Sequence, residues 1–128
     1  MIRNESQRRR AQTEREELAA QRGGEQKKRR LMELDSDLAE YEALRSGEVD
    51  AIREESVEAL GELLVKARLA RGLTMNELGG LLGMSKQQIQ RYEQESWRRA
   101  SLWRLAQVAE ALQIEVGIQA SLTSSLAN

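Results

Sequence analysis

Apolar positions recur at helical spacing along most of this chain, and the pattern breaks at glycines. Leu31, Leu34, Leu38 and Tyr41 follow a three-four spacing that Leu44 continues, while Glu33, Asp35, Asp37, Glu40 and Glu42 take the other faces. This predicts an amphipathic helix from Glu25 to Arg45. The stretch from Glu5 to Gln21 also favours helix but offers only Ala11, Leu18, Ala19 and Ala20 as apolar material, and Gly23-Gly24 separates the two. Residues 1–47 are therefore expected to form a charged helical arm, possible as a helical hairpin, for oligomerisation or partner binding. After Ser46-Gly47, apolar spacing resumes through Val49, Ile52, Val57, Leu60, Leu63, Leu64 and Ala67. A boundary falls near Gly47, with Glu48 to Ser56 expected as a turn or helix extension leading into a second unit, 48–128.

Two short helical patterns then meet across a glycine, in TMNELGGLLGMSKQQIQRYE (74–93). Thr74 with Glu77 has the spacing of a capping box, and Leu78, Leu81 and Leu82 follow as the apolar face of one helix. Gly83 suits the left-handed residue that ends it, and Ser85 suits the N-cap of the next. In that next helix Ile89, Tyr92 and the stem of Glu93 fit an inner face. Ser85, Lys86, Gln87, Gln88, Gln90 and Arg91 are left outside. Near the end of the chain the period changes to two, with Ile114, Val116, Ile118, Ala120 and Leu122 alternating with Glu115, Gly117, Gln119 and Ser121, as in a short strand. The expected fold is all-α with one C-terminal β-strand.

Composition narrows the chemistry. The chain has no His and no Cys, which removes the usual metal sites, Cys nucleophiles and His general bases. Gly23-Gly24 and Gly79-Gly80 lack the spacing and the Lys-Ser/Thr pair of a phosphate loop. No enzyme activity, metal or cofactor is expected. No apolar run is long enough for a membrane span, so a soluble, cytoplasmic protein is the expectation. The formal net charge of −1 conceals a partition. Residues 1–30 hold ten basic and five acidic side chains, 31–62 hold two and eleven, and 63–128 hold eight and five. The last part is basic enough to meet phosphates locally. Long Gln and Arg side chains at a helix N-terminal end suit the donor and acceptor edges of a DNA major groove, although an isolated polar run is more often a solvated face.

Context favours the groove. Arg68, Leu73, Thr74, Glu77, Leu78, Gly83, Ser85, Ile89, Arg91, Tyr92 and Glu93, followed by LAQVAEALQI, resemble the Cro/lambda-repressor-like (Xre-type) helix-turn-helix family. The resemblance covers about Leu60 to Ile118. It implies a sequence-specific regulator of double-stranded DNA, with Lys86, Gln87 and Arg91 reading bases; Ser85 and Gln88, at the same helix end, are expected to join them. It also implies a buried ion pair between Arg68 and Glu93. Thr74, Ser96, Arg98 and Arg99 are expected at the phosphate backbone, with Trp97 among them. The chain departs from the family pattern at Met75 (commonly Gln, which reaches a phosphate), Gly79 (commonly Ala) and Glu95 (often Gly).

A lone strand needs a partner for its backbone groups, so Ile114, Val116 and Ile118 are expected to pair with a second copy in a homodimer. This arrangement is similar to HipB-type antitoxins. The layout of a helical arm ending in LAEYEALRSG before the helix-turn-helix resembles bacterial antitoxin regulators. Leu31, Leu34, Leu38 and Tyr41 would then face a basic toxin. A phage-like repressor without a toxin, a helical scaffold protein, and an RNA adaptor using the basic Gln7–Arg10 and Gln26–Arg30 runs are the alternatives.

Overall fold

The computed structural model describes residues 1–123 as six α-helices, with no strand among them. Helices α1 (Glu5–Ala19) and α2 (Glu25–Arg45) form an antiparallel hairpin. A single 3-10 turn, Val57–Ala59, leads into α3 (Leu60–Ala70), followed by α4 (Met75–Leu82), α5 (Lys86–Gln94) and α6 (Leu102–Ala111). Residues 124–128 of the expected second unit lie outside the described residues.

The hairpin is joined mainly by charge along its length and by apolar burial at its root. The Asn4 side chain accepts the Gln7 amide at 2.8 Å and starts α1, none of whose residues is fully buried. Arg30 grips Glu14 with two hydrogen bonds of 2.6 and 2.8 Å and reaches Glu33 at 3.1 Å, while Arg15 pairs with Asp35. Exposed pairs of this kind are screened by solvent, so they set register more than stability. Stability comes from α2, which buries Leu34, Leu38, Tyr41 and Leu44.

Two apolar clusters share α3. Leu64, Val65 and Ala67 join Met75, Leu78, Ile89, Trp97, Val108 and Leu112 in the larger one. Leu69 joins Ile2, Leu38, Tyr41 and Leu44 in the smaller, and Met1 and Ile52 pack against both. Lys66 of α3 reinforces this contact, reaching Glu54 at 2.8 Å and Glu40 of α2 at 3.4 Å. The hairpin is thus docked on the rest of the molecule through α2 and α3.

Several expectations need correction. The stripe Leu31, Leu34, Leu38 and Tyr41 is not a partner-facing surface: Leu34, Leu38 and Tyr41 are 2%, 8% and 5% exposed, because the chain uses them to seat its own hairpin. Leu31 is half-buried. Of the two expectations for Glu48 to Ser56, the helix extension is not formed: α2 ends at Arg45 with Ser46 as its cap and Gly47 at φ +81°, and the segment is a non-helical connection. The strand at Ile114, Val116 and Ile118 is not formed. Ile114 packs against the larger cluster, and Val116 and Ile118 run on unpaired. Alternation fixes which side chains share a face, but a strand also needs a ladder partner, which the described residues do not supply. Leu81, expected on the inner face of α4, is exposed.

The two glycines of α4 differ in what surrounds them. A Cβ on Gly79 would lie 2.4 Å from the Met84 carbonyl oxygen, whereas one on Gly80 would meet nothing within 4 Å. Gly80→Ala should therefore gain about 1 kcal/mol of helix propensity, and Gly79→Ala should forfeit that gain because the Met84 carbonyl must withdraw. Urea midpoints of the two variants, with Gly80→Ala the higher, check this.

Candidate nucleic-acid interface

Local hydrogen bonding builds the α4–turn–α5 unit. The Thr74 hydroxyl accepts the Glu77 amide at 3.1 Å and the Glu77 carboxylate accepts the Thr74 amide at 3.0 Å, closing a capping box. Gly83 sits at φ +68°, where a side chain would be strained, and the Met84 amide donates to the Gly79 carbonyl at 2.8 Å to finish the turn. A second box opens α5, with Ser85 accepting from Gln88 at 3.1 Å and Gln88 accepting from Ser85 at 2.8 Å.

Burial then fixes the roll of α5. Ile89 and Glu93 are both fully buried, four residues apart on one face. Lys86, Gln87, Gln90 and Arg91 are consequently exposed, as are Ser85 and Gln88. The capping box occupies the Gln88 carbonyl and the Ser85 hydroxyl, so the unengaged long side chains are Lys86, Gln87, Gln90 and Arg91. Gln90 belongs in this group on exposure alone, which its place in the helical pattern already signalled.

Behind this surface lies a buried ion pair. Arg68 donates to Glu93 from two guanidinium nitrogens at 2.7 and 2.9 Å, to the Leu73 carbonyl at 2.8 Å and to the Arg3 carbonyl at 2.7 Å. Burial pushes the Glu93 carboxyl above the usual carboxylate range, against the opposing pull of Arg68 and Arg3. The Arg3 carbonyl is a partner that the sequence pattern did not signal, because it comes from 65 positions away.

The loop after α5 departs from expectation. Ser96 and Trp97 both have positive φ, +52° and +57°, and the Trp97 amide returns to the Tyr92 carbonyl at 2.8 Å. This tight reversal drives Trp97 into the core, 1% exposed and stacked on Tyr92 at 4.8 Å between ring centroids. Trp97 is therefore a core residue and not a phosphate-facing one. Thr74, Arg98 and Arg99 are exposed and Ser96 is half-buried; Arg98 bonds the Glu95 carbonyl at 3.1 Å and Arg99 stays 3.7 Å from the Glu95 carboxylate. Met75, 5% exposed, lies in the core. Arg71, another residue with no signal in the sequence, holds the end of α6 through the Leu112 and Gln113 carbonyls at 2.9 and 2.6 Å.

A family model described as helix-turn-helix matches residues 64–118, from α3 to just past α6. This part of the chain is a helix-turn-helix domain of the Cro/lambda-repressor-like family, the domain of a DNA-binding transcriptional regulator. Comparison with curated proteins and with solved structures gives no match. Among the described residues, no helix is long and apolar enough to cross a membrane.

Removing Arg68 strands the Glu93 charge, at a cost of about 3–5 kcal/mol. Without Arg68 the Glu93 carboxyl rises further above its unfolded value. A carboxyl raised by folding stabilises the fold below its unfolded pKa and loses that contribution as pH climbs through the folded one. The deficit of Arg68→Ala relative to wild type should therefore narrow from about pH 7.5 to about pH 5. Paired urea titrations followed by helical circular dichroism measure it, and a deficit that stays constant or widens contradicts the burial account.

Proposed function

We propose that the chain reads a specific duplex sequence by inserting the N-terminal end of α5 into the major groove. Lys86, Gln87 and Arg91 contact base edges there, with Ser85 and Gln88 assisting from the helix start. The observation that carries this is the roll of α5: Ile89 and Glu93 are fully buried while its long polar side chains stay exposed and, apart from Gln88, uncommitted. A groove offers these side chains the bidentate partners that their chemistry suits. Thr74, Ser96, Arg98 and Arg99 would position the domain through phosphates, which carry no sequence information themselves.

Two copies on a two-fold symmetric site are the form in which a single recognition helix gains enough contacts, with half-sites about one helical turn apart. A homodimer is part of the proposal. Among the exposed apolar side chains, Leu102 and Trp103 stand together at the start of α6, 76% and 73% exposed, and would form its seam.

The finer reading is an antitoxin that represses its own operon, with the hairpin of 1–47 as the partner-binding unit. It draws on the layout of arm and domain. On the hairpin, Asp35, Glu33 and Glu40 are engaged by Arg15, Arg30 and Lys66, while Glu17 and Glu42 are exposed, make no ion pair among the described residues and would meet a basic partner. A repressor without a toxin partner needs none of that surface. Co-purification of a basic protein with the full chain, lost in Glu42→Arg, would favour the antitoxin.

Arg91→Ala should keep the wild-type fold and its binding to arbitrary duplex while losing discrimination of roughly 1–3 kcal/mol at one base pair. A gel-shift series of single-base variants of the preferred site reads this directly. Undiminished discrimination would remove Arg91 from the base-reading set.

A further inference from the structure

The contacts proposed so far stop at the helix-turn-helix unit and the loop after α5, and they leave the hairpin with no part in DNA binding. Its root, however, lies against the start of α4. Arg68 joins the two, because one guanidinium nitrogen bonds the carbonyl of Leu73, the residue before the Thr74 cap, and another bonds the carbonyl of Arg3. The other limb of the root is the last turn of α2. There Tyr41 and Leu44 are buried with Leu69 of α3, one turn short of the α3–α4 connection.

Arg45 ends α2 at this place. It is exposed, and it makes no hydrogen bond or ion pair among the described residues. Its charge acts on its surroundings all the same. The Glu77 carboxylate is held below the usual range first by the Thr74 backbone and hydroxyl and, in smaller part, by Arg45. Glu77 is the residue that closes the Thr74 capping box, so Arg45 stands within electrostatic reach of the first turn of α4.

Arg45 thus combines three properties of a phosphate ligand. Its helix is fixed to the core, its guanidinium has no protein partner to give up, and it neighbours the amide-rich start of a helix that already caps with a hydroxyl. A planar fork of donors matches phosphate oxygens. Glu33, Asp35 and Glu40 of the hairpin are bound to Arg30, Arg15 and Lys66, and the exposed carboxylate that shares the last turns of α2 with Arg45 is Glu42, with which it makes no ion pair.

We propose that Arg45 contacts the DNA backbone, so that the hairpin root extends the binding face of the helix-turn-helix domain beyond α4. The duplex strand that passes the Thr74 end of α4 continues past Arg45. The hairpin tip, at the far end of the 21-residue α2, is about 30 Å away and takes no part. This rests on the DNA-reading role proposed above for α5.

The experiment uses the full chain and two duplexes, one selected by the wild type from a random pool and one scrambled. Affinity is followed by fluorescence anisotropy between about 50 and about 200 mM salt. Arg45→Gln should make the slope of log K against log salt shallower by about 0.9 on both duplexes, so that its deficit shrinks roughly threefold over that range. Its preference between the duplexes should not change. Arg45→Lys, which keeps the charge, should restore most of the slope, whereas a packing role would not respond to charge. Arg29→Gln at the tip should leave the slope as in wild type. An unchanged slope in Arg45→Gln overturns this proposal while leaving α5 as the reader. A wild type with no salt-dependent affinity for either duplex overturns both.

Discussion

One buried guanidinium, that of Arg68, organises this molecule. It belongs to α3, but its donors go to the Glu93 carboxylate on α5, to the carbonyl of Leu73 before α4 and to the carbonyl of Arg3 before α1. Four segments far apart in sequence meet at one charge. A buried ion pair contributes little net stability once desolvation is counted, and its value here is geometric. An uncompensated charge in that interior costs several kcal/mol, so arrangements that separate Arg68 from Glu93 are strongly disfavoured, and the roll of α5 about its axis is held with them.

Two features follow from that constraint. The exposed edge of α5 keeps its direction because the opposite edge holds both Ile89, whose apolar surface water would penalise, and Glu93, whose removal would strand the buried Arg68. The hairpin also becomes part of the same body. Its first residues supply a carbonyl to Arg68 and a buried Ile2, and its second helix gives Leu38, Tyr41 and Leu44 to a cluster that Leu69 completes. A charged segment that could have been a free arm is docked along α3.

The uneven charge along the chain takes on meaning from this packing. The basic first thirty residues and the acidic segment after them meet as Arg15 with Asp35 and Arg30 with Glu33. Lys66 of the helix-turn-helix half donates to Glu54 and pairs with Glu40. Part of the partition is neutralised inside the chain in this way. Glu42, Glu48, Asp50 and Glu58 stay exposed and make no ion pair among the described residues.

Elements whose signals are local are legible in the order of residues alone. The capping boxes at Thr74 and Ser85 and the left-handed Gly83 are contacts within a few residues, so the spacing of side chains along the chain already specifies them. The same holds for the helical periods of α2 and α5 and for the exposed set Lys86, Gln87, Gln90 and Arg91. Tertiary structure decided what depended on distant partners. The α2 stripe read as a surface for another protein until α3 and Ile2 were seen to cover it, and Trp97 read as a loop residue until two positive-φ positions turned it inward. Leu81 has the spacing of a core residue yet stays 59% exposed, and the alternation after Gln113 has the period of a strand although the described residues give it no ladder. Periodicity states which side chains share a face; only the path of the rest of the chain states what that face meets.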